Sequence, residues 1–258
     1  MKNRITTLFK SKNSNILSIF YTAGFPALDN TVDIANILAN EGVDIIEIGI
    51  PFSDPIADGP TIQSSSHIAL NNGMNLKLLL EQVKTIRNTN NIPIILMGYV
   101  NTVLQFGVEK FCVEASACGV DGVIFPDLPL EEYLESYEEH FQKNNLSNIF
   151  LVSPTTSKER INKIDTNSNS FIYAVSRSSI TGGKNDFGDD QKEYLMRLKS
   201  MKLKNPFLVG FGISNKETFS VACKYATGVI IGSAFIDCLK NKGTLESNIH
   251  KFVKGIKE

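Results

Sequence analysis

The chain has 258 residues, 42% of them hydrophobic and 21% charged, which are ordinary globular proportions with ample material for a core. The net charge is −1 and the lysines and arginines are spread along the chain, so nothing carries the electrostatic footprint of a nucleic-acid binder. Four cysteines (Cys112, Cys118, Cys223, Cys238) form no C-x-x-C pair and three histidines (His67, His140, His250) are scattered, which disfavours a disulfide framework or a histidine-based zinc site and reads most simply as reduced thiols in the cytosol.

Ile5, Leu8 and Phe9 form one face of a short leading helix. Lys2 and Arg4 ahead of the apolar stretch Ile16 to Phe25 faintly resemble a secretory signal. The polar break from Ser11 to Asn15 and the lack of a small-residue cleavage site argue against one. No apolar run is long enough to span a membrane, and a soluble, cytoplasmic protein is expected. Asn145-Leu146-Ser147 matches a glycosylation acceptor, but nothing else points to secretion.

Eight short runs rich in β-branched residues follow in order: Leu17–Tyr21, Ile45–Ile48, Ile92–Leu96, Gly122–Phe125, Ile149–Val152, Phe171–Val175, Phe207–Val209 and Gly228–Ile231. Several are continuously apolar, as expected of a parallel sheet covered on both faces. Amphipathic helices fill the gaps. Thr31–Glu41 places Ile34, Ile37 and Leu38 on one face and stops at Gly42. Glu131–Phe141 is acidic outside and apolar along Tyr133, Leu134, Tyr137 and Phe141. The last helix carries Leu245, Ile249, Phe252, Val253 and Ile256 in one stripe. No long linker interrupts the pattern, so residues 1–258 are expected to form one domain. The alternation favours a single-domain (β/α)₈ TIM barrel with a short extra N-terminal helix over a doubly wound sheet, which should show G-x-G-x-x-G after its first strand.

The second strand contains a carboxylate, Glu47, in an otherwise apolar run. Asp58 follows in a loop stiffened by Pro51, Pro55 and Pro60. An ionisable group in a buried strand is costly unless it is paired or put to chemical use. The plain alternative is a carboxylate satisfied by backbone donors. In a barrel, both groups fall at the C-terminal end of the strands, where chemistry sits.

Glycine-bearing turns follow the last three strands: Thr181-Gly182-Gly183, Gly210-Phe211-Gly212 and Gly232-Ser233. Such turns admit an anion to backbone N–H groups, and a short helix opening at Gly232 adds its dipole, which together point to phosphate. No lysine cluster accompanies them. The segment from Ser178 to Asp190 reads either as a mobile lid or as an ordinary exposed loop. A Schiff-base aldolase would need a cavity-facing lysine, and Lys158 and Lys184 lie in polar segments. No metal-ligand cluster can be assembled. Acid–base chemistry by carboxylates remains, with Glu47 tuned by apolar surroundings and Asp58 kept ionised in a polar loop. Tyr173 adds a hydroxyl to that site or is a core tyrosine.

The run from Ile48 to Gln63 (IGIPFSDPIADGPTIQ) resembles the signature of the tryptophan synthase alpha subunit family, a long and specific pattern. Tyr21–Pro26, Met97–Asn101, Asp127–Pro129, Ser176-Arg177 with Ile180–Gly182, and Gly210–Ser214 also match in family order, so the resemblance covers almost the whole chain. It implies a (β/α)₈ barrel that cleaves indole-3-glycerol phosphate to indole and glyceraldehyde 3-phosphate in tryptophan biosynthesis. It assigns Glu47 as the acid–base residue and Asp58 as the anion facing the indole N–H. Phe20 and Tyr173 become walls of the indole pocket, and Thr181, Gly182, Phe211, Gly212, Gly232 and Ser233 the lid threonine and phosphate cradle. It implies an α₂β₂ complex in which indole passes to a beta subunit. Pyridoxal phosphate belongs to that partner, with no cofactor or metal in this chain. Asp54, Asp127 and Pro129 lie where the family meets beta. Ser179 replaces a frequent glycine, and Thr102 and Leu130 replace frequent prolines. Two other readings stay open: a module that mainly activates beta, and a lyase working without beta.

Overall fold

The computed structural model describes residues 3–175, 188–210 and 212–258. Its strands are β1 (Ile16–Thr22), β2 (Ile45–Gly49), β3 (Ile94–Met97), β4 (Gly122–Ile124), β5 (Ser147–Asn148), β6 (Leu151–Val152), β7 (Ile172–Val175), β8 (Phe207–Gly210) and β9 (Gly228–Ile231). All ladders are parallel, in the spatial order β5-β4-β3-β2-β1-β9-β8-β7-β6.

The expected fifth strand, Ile149–Val152, is therefore two short ladders on either side of Ile149 and Phe150. The Ile149 N–H donates to Val123 on the β4 side, and the Phe150 carbonyl accepts from Tyr173 on the β7 side, both at 2.9 Å. One broken strand hands its hydrogen bonds from one neighbour to the other and closes the TIM barrel. The third strand starts later than expected because Pro93 has no N–H to give to a ladder. The helix expected at Glu131–Phe141 contains a π-helical stretch, Tyr133–Tyr137. There the Glu138 N–H donates to the Tyr133 carbonyl. Tyr133, Tyr137 and Phe141 are all buried.

Side chains alternate across each strand, and both faces are apolar. Outward residues such as Ile19, Tyr21, Ile46, Ile48, Val123, Ile172, Val209 and Val229 belong to the larger core, shared with the helices. Inward residues make a second core: Ile16, Ile45, Ile95, Ile124, Ile149, Phe171, Tyr173, Leu208 and Ile230. This two-sided burial is why the strands read as unbroken apolar runs.

The leading helix, Arg4–Ser11, stoppers the N-terminal mouth of the barrel. Ile5 is fully buried in the inner core, Leu8 and Phe9 pack beside it, and the Phe9 and Phe171 rings lie 5.5 Å apart. Buried Asp121 ties the helix down. It accepts from the Arg4 and Arg87 guanidiniums at 3.0 and 2.8 Å and from the Ile94 N–H at 3.0 Å. Asp44 repeats the device one strand pair away, accepting from the Leu17 N–H at 2.9 Å and from Lys12. Because Ile5 fills the closed end, Ile5→Ala is expected to lower unfolding free energy by about 2–5 kcal/mol, read from the urea midpoint, with the opposite mouth unchanged.

Candidate active site

The register of β1 on β2 sets Phe20 beside Glu47, and that of β2 on β3 sets Glu47 beside Ile95. All three face the barrel interior. Glu47 has no exposed surface. The Ser18 hydroxyl, two residues before Phe20 on the same inward face, donates to Glu47 Oε1 at 2.7 Å. Oε2 is buried and has no hydrogen-bond partner among the described residues. The backbone donors that a purely structural carboxylate would use are not its partners. Burial pushes the Glu47 carboxyl up to about 7, with the Ser18 bond pulling the other way.

Asp58 approaches the same cavity from the loop after β2. Its surroundings are drier than the polar loop expected from sequence: burial raises its carboxyl to about 6, opposed by a hydrogen bond from the Tyr99 hydroxyl at 3.1 Å. The reason is Tyr99 itself, which the sequence reading passed over. Its hydroxyl also accepts the Ala57 N–H at 2.9 Å, and its ring stacks on Phe52 with centroids 5.0 Å apart. One buried side chain thus folds the proline-rich loop back over the barrel.

Phe20, Glu47, Asp58, Tyr173, Gly212, Gly232 and Ser233 line one cavity of about 90 Å³, with Ile62, Met97, Ile213, Ile230 and Ala234 completing the wall. Tyr173 is both things the sequence allowed, a member of the inner core and a wall of this cavity. Burial, with Glu47 and Asp58 nearby, raises its phenol, so it presents a neutral hydroxyl. Two glycines make room for the aromatic walls. A Cβ at Gly49 would sit 2.6 Å from the Phe20 ring, and one at Gly210 would overlap the Tyr173 hydroxyl. Among the described residues no lysine lines the cavity. No group of three His, Cys, Asp or Glu that could hold a metal was found among them either.

At the far side of the cavity Gly212 has φ +80°, and Gly232 precedes the helix Ser233–Leu239. The Gly232 carbonyl accepts from Phe235 and Ile236, while the first N–H groups of a helix have no acceptor within it. Those groups and the helix dipole offer an anion a landing place. Thr181, Gly182, Phe211 and Ser179 lie outside the described residues, as does the expected lid up to Phe187. Its last residues begin the helix Asp189–Ser200, capped by Gly188.

Asp54, Asp127 and Pro129 do not line the cavity. Asp54 is exposed on the loop that Tyr99 holds. Asp127 accepts the Val100 N–H with both oxygens, at 3.1 and 3.2 Å, and so fastens the helix Val100–Phe106 to the loop after β4. Pro129 opens the short helical turn Leu130–Glu132. The groove at the opposite end, about 820 Å³, is lined by Arg4, Arg87 and Asp121 among others, and these three charges meet one another and, from Arg87, backbone carbonyls.

No helix among the described residues is long and apolar enough to cross a membrane. The sequence profile of the family described as tryptophan synthase alpha chain matches residues 7–257. The tryptophan synthase alpha chain of Flavobacterium psychrophilum is 54% identical over 254 residues, covering 98% of this chain and 99% of that one. That of Bacteroides thetaiotaomicron is 46% identical over 255 residues, covering 99% and 100%. The crystal structure of tryptophan synthase subunit alpha from Legionella pneumophila superposes with a TM-score of 0.89 at 34% identity, covering 99% of this chain and 97% of that one. Profile, relatives and fold agree over the whole barrel: the chain belongs to the tryptophan synthase alpha chain family, lyases of tryptophan biosynthesis.

Proposed function

We propose that this chain performs its family's cleavage of indole-3-glycerol phosphate to indole and glyceraldehyde 3-phosphate through two carboxylates held in different protonation states. The observation that carries the assignment is Glu47, fully buried, with Oε1 docked on Ser18 and Oε2 without a partner among the described residues, on the wall of the cavity that also receives Asp58. Retro-aldol cleavage needs a proton on the indole ring carbon that bears the side chain. It then needs a proton removed from the adjacent hydroxyl as the carbon–carbon bond breaks. Glu47, protonated near neutral pH, gives the first proton and as carboxylate takes the second, so no net proton is consumed. Asp58, ionised above about pH 6, stabilises the positive charge that grows on the ring nitrogen. Phe20 and Tyr173 flank the ring. Gly212, Gly232 and Ser233 receive the phosphate, the part of the expected cradle that lies among the described residues.

A beta subunit carrying pyridoxal phosphate is the partner we propose, in an α₂β₂ assembly in the cytoplasm. Support comes from Ile56, 83% exposed on the loop between Asp54 and Asp58, and from half-exposed Leu104 on the helix that Asp127 fastens. Apolar side chains presented beside the mouth of a site suit a protein surface. The Phe52–Tyr99–Asp58 contacts run from that loop to the catalytic carboxylate.

Glu47→Gln is expected to lower indole release from indole-3-glycerol phosphate by about 10²–10⁴-fold with the fold intact by circular dichroism, and wild-type turnover in that variant would refute the assignment. Asp58→Asn should lose about 10²–10³-fold in kcat. The pH profile of kcat/KM should be a narrow bell. It falls above about 7 as Glu47 loses its proton and below about 6 as Asp58 gains one. Ile56→Asp should weaken beta binding in calorimetry by about tenfold or more while cleavage by the isolated chain is retained.

A further inference from the structure

Ser18 is a polar residue in an apolar layer. Its neighbours across the ladders are Ile45 on β2 and Ile230 on β9, and its inward neighbours along β1 are Ile16 and Phe20. It has no exposed surface, and a buried hydroxyl without a partner is costly. Its hydrogen bond goes forward to Glu47, the carboxylate two residues beyond its ladder partner, at 2.7 Å. The other oxygen of that carboxylate has no partner among the described residues. The two oxygens of Glu47 are therefore unequal before substrate arrives.

Resting on the lyase reading above, we propose that Ser18 is a positioning residue that holds Glu47 Oε1 and so makes Oε2 the single oxygen that exchanges protons with substrate. A carboxyl group that must first give a proton to a ring carbon and then take one from an oxygen gains from a fixed orientation. Rotation between the two steps would present the wrong atom or the wrong lone pair. The Ser18 hydroxyl also donates to the charged form, which tempers the effect of burial and keeps proton return from becoming one-sided. The titratable groups that face Glu47 are Tyr173 from β7 and Asp58 from the loop after β2. β1, β3 and β9 present Phe20, Met97 and Ile230, which carry no charge.

The test compares the wild-type chain with Ser18→Ala, Ser18→Thr and Glu47→Gln, using carboxyl ¹³C titration of Glu47 in the unliganded protein alongside indole-release kinetics. In Ser18→Ala the Glu47 midpoint and the basic limb of kcat/KM should both rise by about one pH unit, since a hydrogen bond to the ionised form is lost. At the optimum kcat should fall about tenfold with KM nearly unchanged, as for a group that touches another side chain rather than substrate. Ser18→Thr keeps a hydroxyl and should restore the midpoint. An unmoved Glu47 midpoint together with wild-type kcat in Ser18→Ala would overturn the proposal while Glu47→Gln remained inert. Persistent cleavage by Glu47→Gln would instead remove the lyase role of Glu47 on which the proposal rests.

Discussion

Taking a carboxyl group out of water into an apolar enclosure disfavours its charge, and the group responds by holding its proton to higher pH. Glu47 stands under that constraint, and the C-terminal end of this barrel is arranged around it. Inward alternation along β1 and β2 puts it among isoleucines, Phe20 and Met97 rather than in solvent. Removing the apolar lining would return Glu47 to an ordinary carboxylate, ionised and unable to act as an acid near neutral pH. The inner core therefore does more than fill space: it raises the proton affinity of the carboxyl group it surrounds.

Asp58 answers the same constraint differently. It sits at the rim, meets the Tyr99 hydroxyl, and keeps its ionisation about a unit lower than Glu47. Burial raises both carboxyls, and the ordinary difference between aspartate and glutamate keeps Asp58 the more acidic of the two. Tyr99 couples that difference to the surface. The same ring that supports Asp58 stacks on Phe52, so one side chain touches both the outer loop and the carboxylate.

Much of this could be read from the chain. The strand runs, the leading helix and the turn at Gly232 follow from periodicity and turn chemistry, and a carboxylate inside an apolar strand pointed to the candidate site. The broken fifth strand could not be read, because its four apolar residues look continuous. The break lies in which neighbour accepts each hydrogen bond, a property of closure rather than of local sequence. The π-helical stretch at Tyr133–Tyr137 was hidden for a similar reason, since its aromatic spacing also suits an α-helix. Ser18 was within reach: counting back by two from Phe20 places it on the inward face, where a hydroxyl needs an explanation. Tyr99 was not, because its partners lie 41 and 42 residues away in sequence and are brought to it only by the barrel.

The leading helix settles a matter of traffic. With Ile5, Leu8 and Phe9 packed into one mouth and isoleucine layers filling the barrel above them, the interior has no through passage among the described residues. Molecules must come and go by the end that carries Glu47, Asp58 and the exposed Ile56. A product made there leaves by that same face, so the stopper at the bottom sets the direction in which the reaction's output travels.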